Sequence, residues 1–389
     1  MDLLPAEEQL LLKESARRFL AEQYTRFREA PGARPGFAPG AWAGFAEMGW
    51  LALALPESVG GFGGKMEDVV IIAEQFGAAL VVEPYIPVII SAQLIAKLGD
   101  AAQHAVLEGV LAGTHLLALA VGETPRRAAL EAIATRAAHS QGAWVLNGAK
   151  TAVRGGGLAD TLLVLARLDG MGGFGLFMIG PDAPGVTRRA WQGADGADFA
   201  DMEFRNVTVP PSALLGARRD VLPYVEAALD RAAIALCADA VGAMKVLLSA
   251  TVEYAKTRVQ FGKPIGTFQA LTHRMADMAV KRAEAEAILL LGALKAEAPH
   301  YERVRAVSAA RVKIAECARF IGQQAVQLHG GMGVTDELPV GAYFKRLTVF
   351  ELVLGDINFH LRRYAWVGRS GVLREGLLSV PETRPEYAL

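Results

Sequence analysis

The stretch Arg258-Val-Gln-Phe-Gly-Lys-Pro-Ile-Gly-Thr-Phe-Gln269 separates two long helical patterns. Two glycines and a proline inside it break helical regularity, so the sequence predicts a loop of defined shape. We expect Arg258 on the last turn of the preceding helix, where its guanidinium can hold a phosphate through two hydrogen bonds. Phe261 adds a flat face beside that charge. Such a loop suits a dinucleotide pyrophosphate, although a tight helix–helix turn with a solvated arginine explains the loop alone equally well.

A second motif, Gln327-Leu-His-Gly-Gly-Met-Gly333, follows another helical pattern further along the chain. Its adjacent glycines allow a ligand to approach the backbone closely. The two motifs resemble the signatures of the acyl-CoA dehydrogenase family, Arg-x-x-Phe-Gly-(Lys/Arg)-x-Ile-x-x-x-Gln and Gln-x-x-Gly-Gly-x-Gly, and they stand in the family's order. The resemblance extends over nearly the whole chain.

Composition sets the class of protein. At 389 residues the chain is long enough for two or three domains with a large core. Its 52% hydrophobic and 21% charged residues are typical of a well-packed globular enzyme or subunit. The net charge of −1 gives no electrostatic footprint for nucleic acid. Cys237 and Cys317 both lie in helical patterns, so no disulfide framework is indicated, and no spacing of His and Cys predicts a metal site.

The cellular setting is also an expectation from sequence. The first residues lack the basic and then apolar pattern of a signal peptide. The most apolar long stretch, residues 232–250, contains Asp239 and Lys245, which favours a buried helix over a membrane span. We therefore expect a reduced, cytoplasmic location and no membrane span.

Hydrophobic periodicity divides the chain into three regions. Residues 1–115 read as helices with short breaks, and residues 222–389 carry long amphipathic patterns that predict a helical bundle. The family resemblance implies that this bundle holds the cofactor and oligomerisation motifs. Residues 116–221 contain short strand-like runs between turn signals, which predicts a small antiparallel β domain. The runs are 116–121, 143–147, 161–166, 175–179 and 200–205. The expected fold is α+β and mainly α: an N-terminal helical domain, a middle antiparallel β-barrel-like domain and a C-terminal four-helix bundle, as in the family.

The family resemblance implies a reaction and a cofactor. Members bind FAD and remove the α and β hydrogens of an acyl-CoA, with a carboxylate as the base and an electron-transfer flavoprotein as the electron acceptor. The FAD lies across a dimer interface, so each site is built from two chains. The implied FAD contacts on the half that faces the neighbouring chain are Arg258, Phe261, Gln269, Gln327, Gly330 and Gly331. His329, inside the glycine motif, is expected to pack or to lie beside FAD.

The half that would face the flavin ring departs from the family. Where the family has Thr-Glu-Pro-x-x-Gly-Ser-Asp, this chain has Gly122-Glu-Thr-Pro-Arg-Arg-Ala-Ala129. Ala152 and Arg154 stand where Trp and Thr usually meet the ring. Both usual positions of the catalytic Glu are also empty, because Leu354 and Ala232 occupy them. A leucine or an alanine cannot take a proton, and general-base catalysis contributes about 10²–10⁴ in rate.

Other acids lie near the two empty positions. Asp356 follows the glycine that flanks the usual base, and Glu351 lies one helical turn before Leu354. Asp230 and Asp239 flank the alternative site. Each of these acids also fits a surface or helix-stabilising role. The sequence therefore leaves the catalytic residue unknown.

One hypothesis explains the asymmetry between the two halves. The run Ala342-Tyr-Phe-Lys-Arg-Leu-Thr-Val-Phe350 and the later Leu354-Gly-Asp356 resemble the small subunit of pimeloyl-CoA-type dehydrogenases. The chain is then the small subunit of a heterotetrameric acyl-CoA dehydrogenase and contributes FAD contacts to a homologous partner. The alternatives are a self-sufficient homotetramer with a displaced acid as the base, a same-fold flavin oxidase or monooxygenase, and a structural subunit with no flavin role. The last alternative leaves both motifs unexplained.

Overall fold

The computed structural model describes residues 6–124, 130–335 and 337–375. The N-terminal region is helical, and short loops connect its helices. Its elements are α1 (Glu7–Phe19), a wider helical turn (Leu20–Tyr24), α2 (Thr25–Glu29), α3 (Pro39–Glu47), α4 (Met66–Ala78), α5 (Tyr85–Leu98), α6 (Ala101–His104) and α7 (Val106–Leu111). An aromatic cluster fills its core, in which Phe45 stacks on Phe76 with ring centroids 4.9 Å apart. Helix α4 begins where the Asp68 carboxylate accepts the Lys65 N–H at 2.8 Å.

The middle region is one seven-stranded sheet. Its strands are β1 (Leu117–Ala120), β2 (Arg136–Ser140), β3 (Ala143–Arg154), β4 (Thr161–Leu168), β5 (Phe174–Ile179), β6 (Val186–Gln192) and β7 (Asp198–Val209). The spatial order is β1-β4-β2-β3-β7-β6, and β5 pairs with β4. Most pairings are antiparallel, as expected, but β1 and β2 each run parallel to β4. The sequence analysis did not identify β2 and β6, because β2 is alanine-rich and β6 is a largely exposed edge strand without an apolar alternation.

The described part of the C-terminal region is a bundle of three long and two shorter helices. They are α8 (Leu222–Thr257), α9 (Gln269–Leu294), α10 (His300–His329), α11 (Val340–Leu352) and α12 (Ile357–Glu375). Helix α8 is long and apolar enough to cross a membrane by composition, but 83% of its most apolar window is buried inside the protein. It is the core helix of the fold. The expected fold class is confirmed.

Helix α8 also joins the bundle to the N-terminal region. Gly77 on α4 faces the Asp239 carbonyl on α8, and Gly242 on α8 faces the Glu74 carbonyl on α4. A Cβ at either glycine would overlap that backbone, so the two helices cross in direct contact. This crossing fixes the position of α8, whose C-terminus leads into the Arg258 loop (residues 258–269).

Candidate cofactor half-site

The two sequence motifs meet in one cleft. The cleft has a volume of about 440 Å³ and lies between the end of α8 and the end of α10. Its lining residues are Tyr254, Arg258, Gln260, Ile265, Gln327, Leu328, His329, Gly330, Gly331 and Met332. The structure thus brings together four of the six predicted contact residues. Phe261 and Gln269 lie outside this lining, on the exposed face of the same loop.

The Arg258 loop is a short hairpin. Helix α8 ends at Thr257, and Arg258 is the first extended residue after it. The expectation that Arg258 lies on the last turn of this helix is therefore wrong. Strands β8 (Val259–Gln260) and β9 (Lys263–Pro264) pair, and the Ile265 N–H donates to the Arg258 carbonyl at 2.8 Å. Arg258 is exposed, and within the described part of the chain no carboxylate pairs with it. Its charge is free to meet an anion.

The tip of the hairpin has an unfavourable backbone. Phe261 and Gly262 both have positive φ, at 54° and 78°, and a left-handed conformation is costly for a phenylalanine. The Phe261 side chain is 91% exposed and touches the edge of Phe268 with ring centroids 6.1 Å apart. A large apolar side chain held in this way gains little stability from its own chain.

The glycine motif forms the opposite wall of the cleft. Helix α10 ends at His329, and Gly330 follows with φ 58° and ψ −136°, a conformation that only glycine adopts readily. A Cβ added at Gly330 or Gly331 would meet no atom within 4 Å, so both glycines border open space. A side chain at either position would therefore cause no clash with the chain itself. It would clash with a ligand lying against the backbone.

His329 and Tyr254 form the floor of the cleft. The His329 ring is 4% exposed and its Nδ1–H donates to the Ala325 carbonyl at 2.8 Å. Tyr254 stacks on it with centroids 4.4 Å apart and 25° between the rings. His329 is thus a packing residue, one of the two roles expected of it. Tyr254, which lies in the last turn of α8 and lines the same cleft as Arg258, was not identified from the sequence.

These residues fit the phosphate half of a dinucleotide. An unpaired guanidinium, two bare glycines and a flat aromatic floor offer charge, close backbone approach and a stacking surface. Four of the residues would hold the FAD pyrophosphate and the adjoining ribose: Arg258, Gln327, Gly330 and Gly331. The fit is to the half of the cofactor that is implied to come from a neighbouring chain.

The other half of the cofactor does not fit this chain. Ala152 has φ 51° and its N–H donates to Asp201 at 2.9 Å, so the position expected to face a flavin ring is a backbone kink without a ring to stack on it. Arg154 lies among the charges of Asp195, Asp239 and Arg346. Burial and the charge of Arg346 lower the pKa of Arg154, and both aspartates oppose that shift.

The retained Glu123 has a structural role. Its carboxylate accepts the Lys150 ammonium at 2.7 Å, the Ala134 N–H at 2.6 Å and the Thr135 hydroxyl at 2.6 Å. Lys150 is fully buried, and burial lowers its pKa to about 8 even though Glu123 opposes the shift. The rest of the motif quoted above, residues 125–129, lies outside the described residues.

Buried side chains hold the loop of residues 353–355, which contains the usual position of the base, through hydrogen bonds to its carbonyls. Leu354 has φ 59°, and its carbonyl accepts from His360 Nε2 at 3.1 Å. The buried Arg311 donates to the carbonyls of Val353 at 2.7 Å and Gly355 at 3.1 Å. With three consecutive carbonyls tied to buried side chains, the loop cannot easily shift to present a different residue.

Asp356, the acid next to this loop, caps a helix. It is exposed, and its carboxylate accepts the Phe359 N–H at 2.7 Å at the start of α12. Glu351, on α11, forms an ion pair with Arg319 on α10. Both candidates beside Leu354 are therefore engaged in holding bundle helices.

The two acids beside Ala232 are buried in ion pairs. Asp230 accepts from Arg303 at 2.9 Å and also pairs with Arg363. Asp239 accepts from Arg346 Nε at 2.9 Å and from Nη2 at 2.8 Å, a two-point contact. The oxygens of both carboxylates are therefore occupied by guanidinium donors and are not free to meet a substrate.

Comparisons with known proteins match all three regions of the fold. Residues 6–114, 118–207 and 222–366 match the acyl-CoA dehydrogenase N-terminal, middle and C-terminal domains. Acyl-CoA dehydrogenase IpdE2 of Mycobacterium tuberculosis is 33% identical over 297 residues, 76% of each chain. Acryloyl-CoA reductase (NADH) of Anaerotignum propionicum is 29% identical over 371 residues, 92% of this chain and 94% of that protein. A chain of the ChsE4–ChsE5 complex of Mycobacterium tuberculosis superposes with a TM-score of 0.83 at 26% identity, over 96% of this chain and 99% of that one.

Proposed function

The chain belongs to the acyl-CoA dehydrogenase family, and from this premise we propose that it is the subunit of a heteromeric enzyme that contributes a cofactor half-site and no catalytic base. Members of the family are oxidoreductases that act on a CH–CH bond. The family membership also confirms the expected cofactor, FAD. The proposal concerns the division of work between this chain and a homologous partner.

One observation carries the proposal. The cleft between α8 and α10 is open and lined by both motifs, whereas each of the four candidate acids forms a helix cap or an ion pair. A self-sufficient dehydrogenase needs both a cofactor site and a base within reach of its substrate. Among the described residues, this chain supplies half of the cofactor site, and none of the four candidate acids is free to act as the base.

Each residue of the cleft has a defined task toward a partner's FAD. When bound, FAD accepts two electrons from an acyl-CoA in this family. Arg258 neutralises pyrophosphate charge, Gly330 and Gly331 let the backbone approach, and Tyr254 keeps the floor flat over His329. Phe261 extends from the hairpin toward the partner, which would give its exposed ring a surface to cover it.

The partner proposed is a homologous dehydrogenase subunit that supplies the base and the flavin-facing half. The heteromeric ChsE4–ChsE5 complex shows that a chain of this fold occurs in a two-component assembly. We extend the proposal to the small subunit of a pimeloyl-CoA-type heterotetramer, acting on an acyl-CoA in the cytoplasm with an electron-transfer flavoprotein as acceptor. The sequence features that support this subgroup are residues 342–350 and Leu354-Gly-Asp356.

Two alternatives make different predictions. A homotetramer with a displaced base would bind FAD by itself, and an acyl-CoA would reduce that FAD. A flavin oxidase or monooxygenase would bind FAD, ignore acyl-CoA and react rapidly with oxygen.

The experiment is to change Arg258→Ala and to measure FAD per complex after purification by a tag on this chain. Lys256→Ala is the matched control, because Lys256 is a surface cation two residues earlier, 63% exposed and paired with Glu253 outside the cleft. We expect Arg258→Ala to lower bound FAD at least tenfold at limiting FAD and Lys256→Ala to leave it unchanged, since a charge-assisted phosphate contact contributes about 1.5–3 kcal/mol. Unaltered FAD in Arg258→Ala would exclude a contributed half-site.

A further inference from the structure

A buried ion network lies at the point where the three regions of the chain meet. It consists of Arg154 and Asp195 from the sheet region and Asp239 and Arg346 from the bundle. Arg346 is 3% exposed and Asp239 is 4% exposed, and the Asp195 side chain is 1% exposed. Charged side chains are rarely buried unless they are paired, and here four of them meet at one junction, three of them buried.

Arg346 is the centre of the network. Its Nε and Nη2 donate to the two oxygens of Asp239, and its Nη1 donates to Asp195 at 3.1 Å. Nη2 also donates to the Val81 carbonyl, in the segment between α4 and α5. Arg346 on α11 therefore connects its own bundle to both of the other regions. Burial would lower the pKa of Arg346, but the charges of Asp239 and Asp195 outweigh burial and raise it, so Arg346 stays charged.

Arg154 completes the charge balance. It ends β3, which lies on the sheet side of the junction, and the charges of Asp195, Asp239 and Arg346 all act on it. Two guanidinium groups and two carboxylates give no net charge, so the network is stable as it stands. Asp195 is held further by the Ala197 N–H, which donates to its other oxygen at 3.2 Å. A ring inserted here would have to displace Arg154 and separate Asp195 from Arg346.

We propose that the Arg154–Asp195–Arg346–Asp239 network closes the crevice between sheet and bundle, meaning the space beside Ala152 and Arg154 where the family resemblance implies a flavin ring. The chain then holds no flavin ring of its own, and an assembly with its partner holds one FAD per pair of unlike chains. Separating a buried ion pair leaves uncompensated charge and is strongly unfavourable, so the network resists opening by a neutral ring. The closure does not depend on whether the cleft serves a partner, whereas the ratio of one FAD per pair of unlike chains rests on the proposed function.

The test is hydrogen–deuterium exchange on the tagged complex, with FAD removed and then restored at saturation. We expect FAD to slow amide exchange in residues 258–268 and 329–332 and to leave residues 151–157 and 193–197 of this chain unchanged. Slowing in residues 151–157 would overturn the closed crevice. Absence of slowing in residues 258–268, with 151–157 also unchanged, would leave the closure in place and contradict the contributed half-site, so the two proposals fail separately.

A second measurement does not depend on exchange rates. Released FAD is counted against both chains by absorbance and mass spectrometry, and we expect one FAD per pair. Arg154→Ala should keep that ratio, as should the control Arg189→Ala, a surface arginine of the same sheet that is 80% exposed. Two FAD per pair would show that this chain holds a flavin of its own, and loss of half the FAD in Arg154→Ala alone would show that Arg154 faces it. Either result would overturn the inference.

Discussion

The strained backbone conformation of Phe261 should lower the free energy of unfolding of the isolated chain by a measurable amount. Phe261 adopts φ 54° at the hairpin tip with 91% of its side chain exposed. Asparagine tolerates this conformation better, so Phe261→Asn should raise the free energy of unfolding of the isolated chain by about 1 kcal/mol. The same change should lower partner binding in a pull-down. The control Val280→Gln removes an exposed apolar side chain from α9, outside the hairpin. A destabilised Phe261→Asn chain would show that the ring stabilises its own fold.

Gly331 separates a role in folding from a role in binding. An added Cβ meets nothing within 4 Å and the backbone is not in the left-handed region, so Gly331→Ala should change stability by less than about 0.5 kcal/mol. Bound FAD in the complex should fall, because the methyl group occupies the space a cofactor needs. Gly341→Ala on α11 is the control, since its Cβ also meets open space, away from the cleft. Equal FAD content in both variants would contradict the assignment of the glycine motif.

At the scale of elements, the start of α12 tests the displaced base. Asp356→Asn keeps an oxygen that accepts the Phe359 N–H, whereas Asp356→Ala removes it. We expect Asp356→Asn to leave both stability and the dehydrogenase activity of the complex unchanged. Asp356→Ala should lower the unfolding free energy by about 1 kcal/mol, the usual cost of a lost helix cap. Loss of activity in Asp356→Asn without loss of stability would identify Asp356 as the base.

The elements also show what the sequence can and cannot reveal. Helices α8 and α10 were predictable because their apolar periodicity is long, and the motifs after them follow from residue type and spacing. The stacking of Tyr254 on His329 in the floor of the cleft requires the ends of two helices to lie side by side, which hydrophobic periodicity does not specify. Strand β6 carries little signal because it is exposed on an edge. The two acidic partners of Arg346 lie 107 and 151 positions away from it in the sequence, so no local sequence pattern predicts these ion pairs.

At the scale of the whole molecule, a second buried cluster makes stability depend on acid. Glu226 and Asp230 on α8 meet Arg303 on α10 and Arg363 on α12, and His300 lies 3.2 Å from Glu226. Burial alone would raise the pKa of Glu226, but His300 and Arg363 outweigh burial and lower the pKa to about 2. A carboxylate with a lowered folded pKa stabilises the protein above its unfolded pKa and loses that contribution as pH falls toward the folded value.

Glu226→Gln should therefore cost on the order of 3 kcal/mol of unfolding free energy near neutral pH, and the difference from the natural chain should shrink as pH falls from about 5 toward 2. Urea unfolding of both chains at a series of pH values measures this difference in unfolding free energy. Glu253→Gln is the control, because its carboxylate pairs with Lys256 at the surface with 64% of the side chain exposed. A Glu226→Gln difference that stays constant across the series would mean that the charge of Glu226 contributes nothing to folding.

The visible flavin spectrum of this chain purified alone, before and after anaerobic addition of a medium-chain acyl-CoA, tests the account most directly. We expect a colourless protein, or a yellow one that acyl-CoA does not bleach, because the cleft is half a site and the candidate acids are engaged elsewhere. A yellow protein that bleaches on addition of acyl-CoA would contradict it: one chain type would then supply the flavin site and the base.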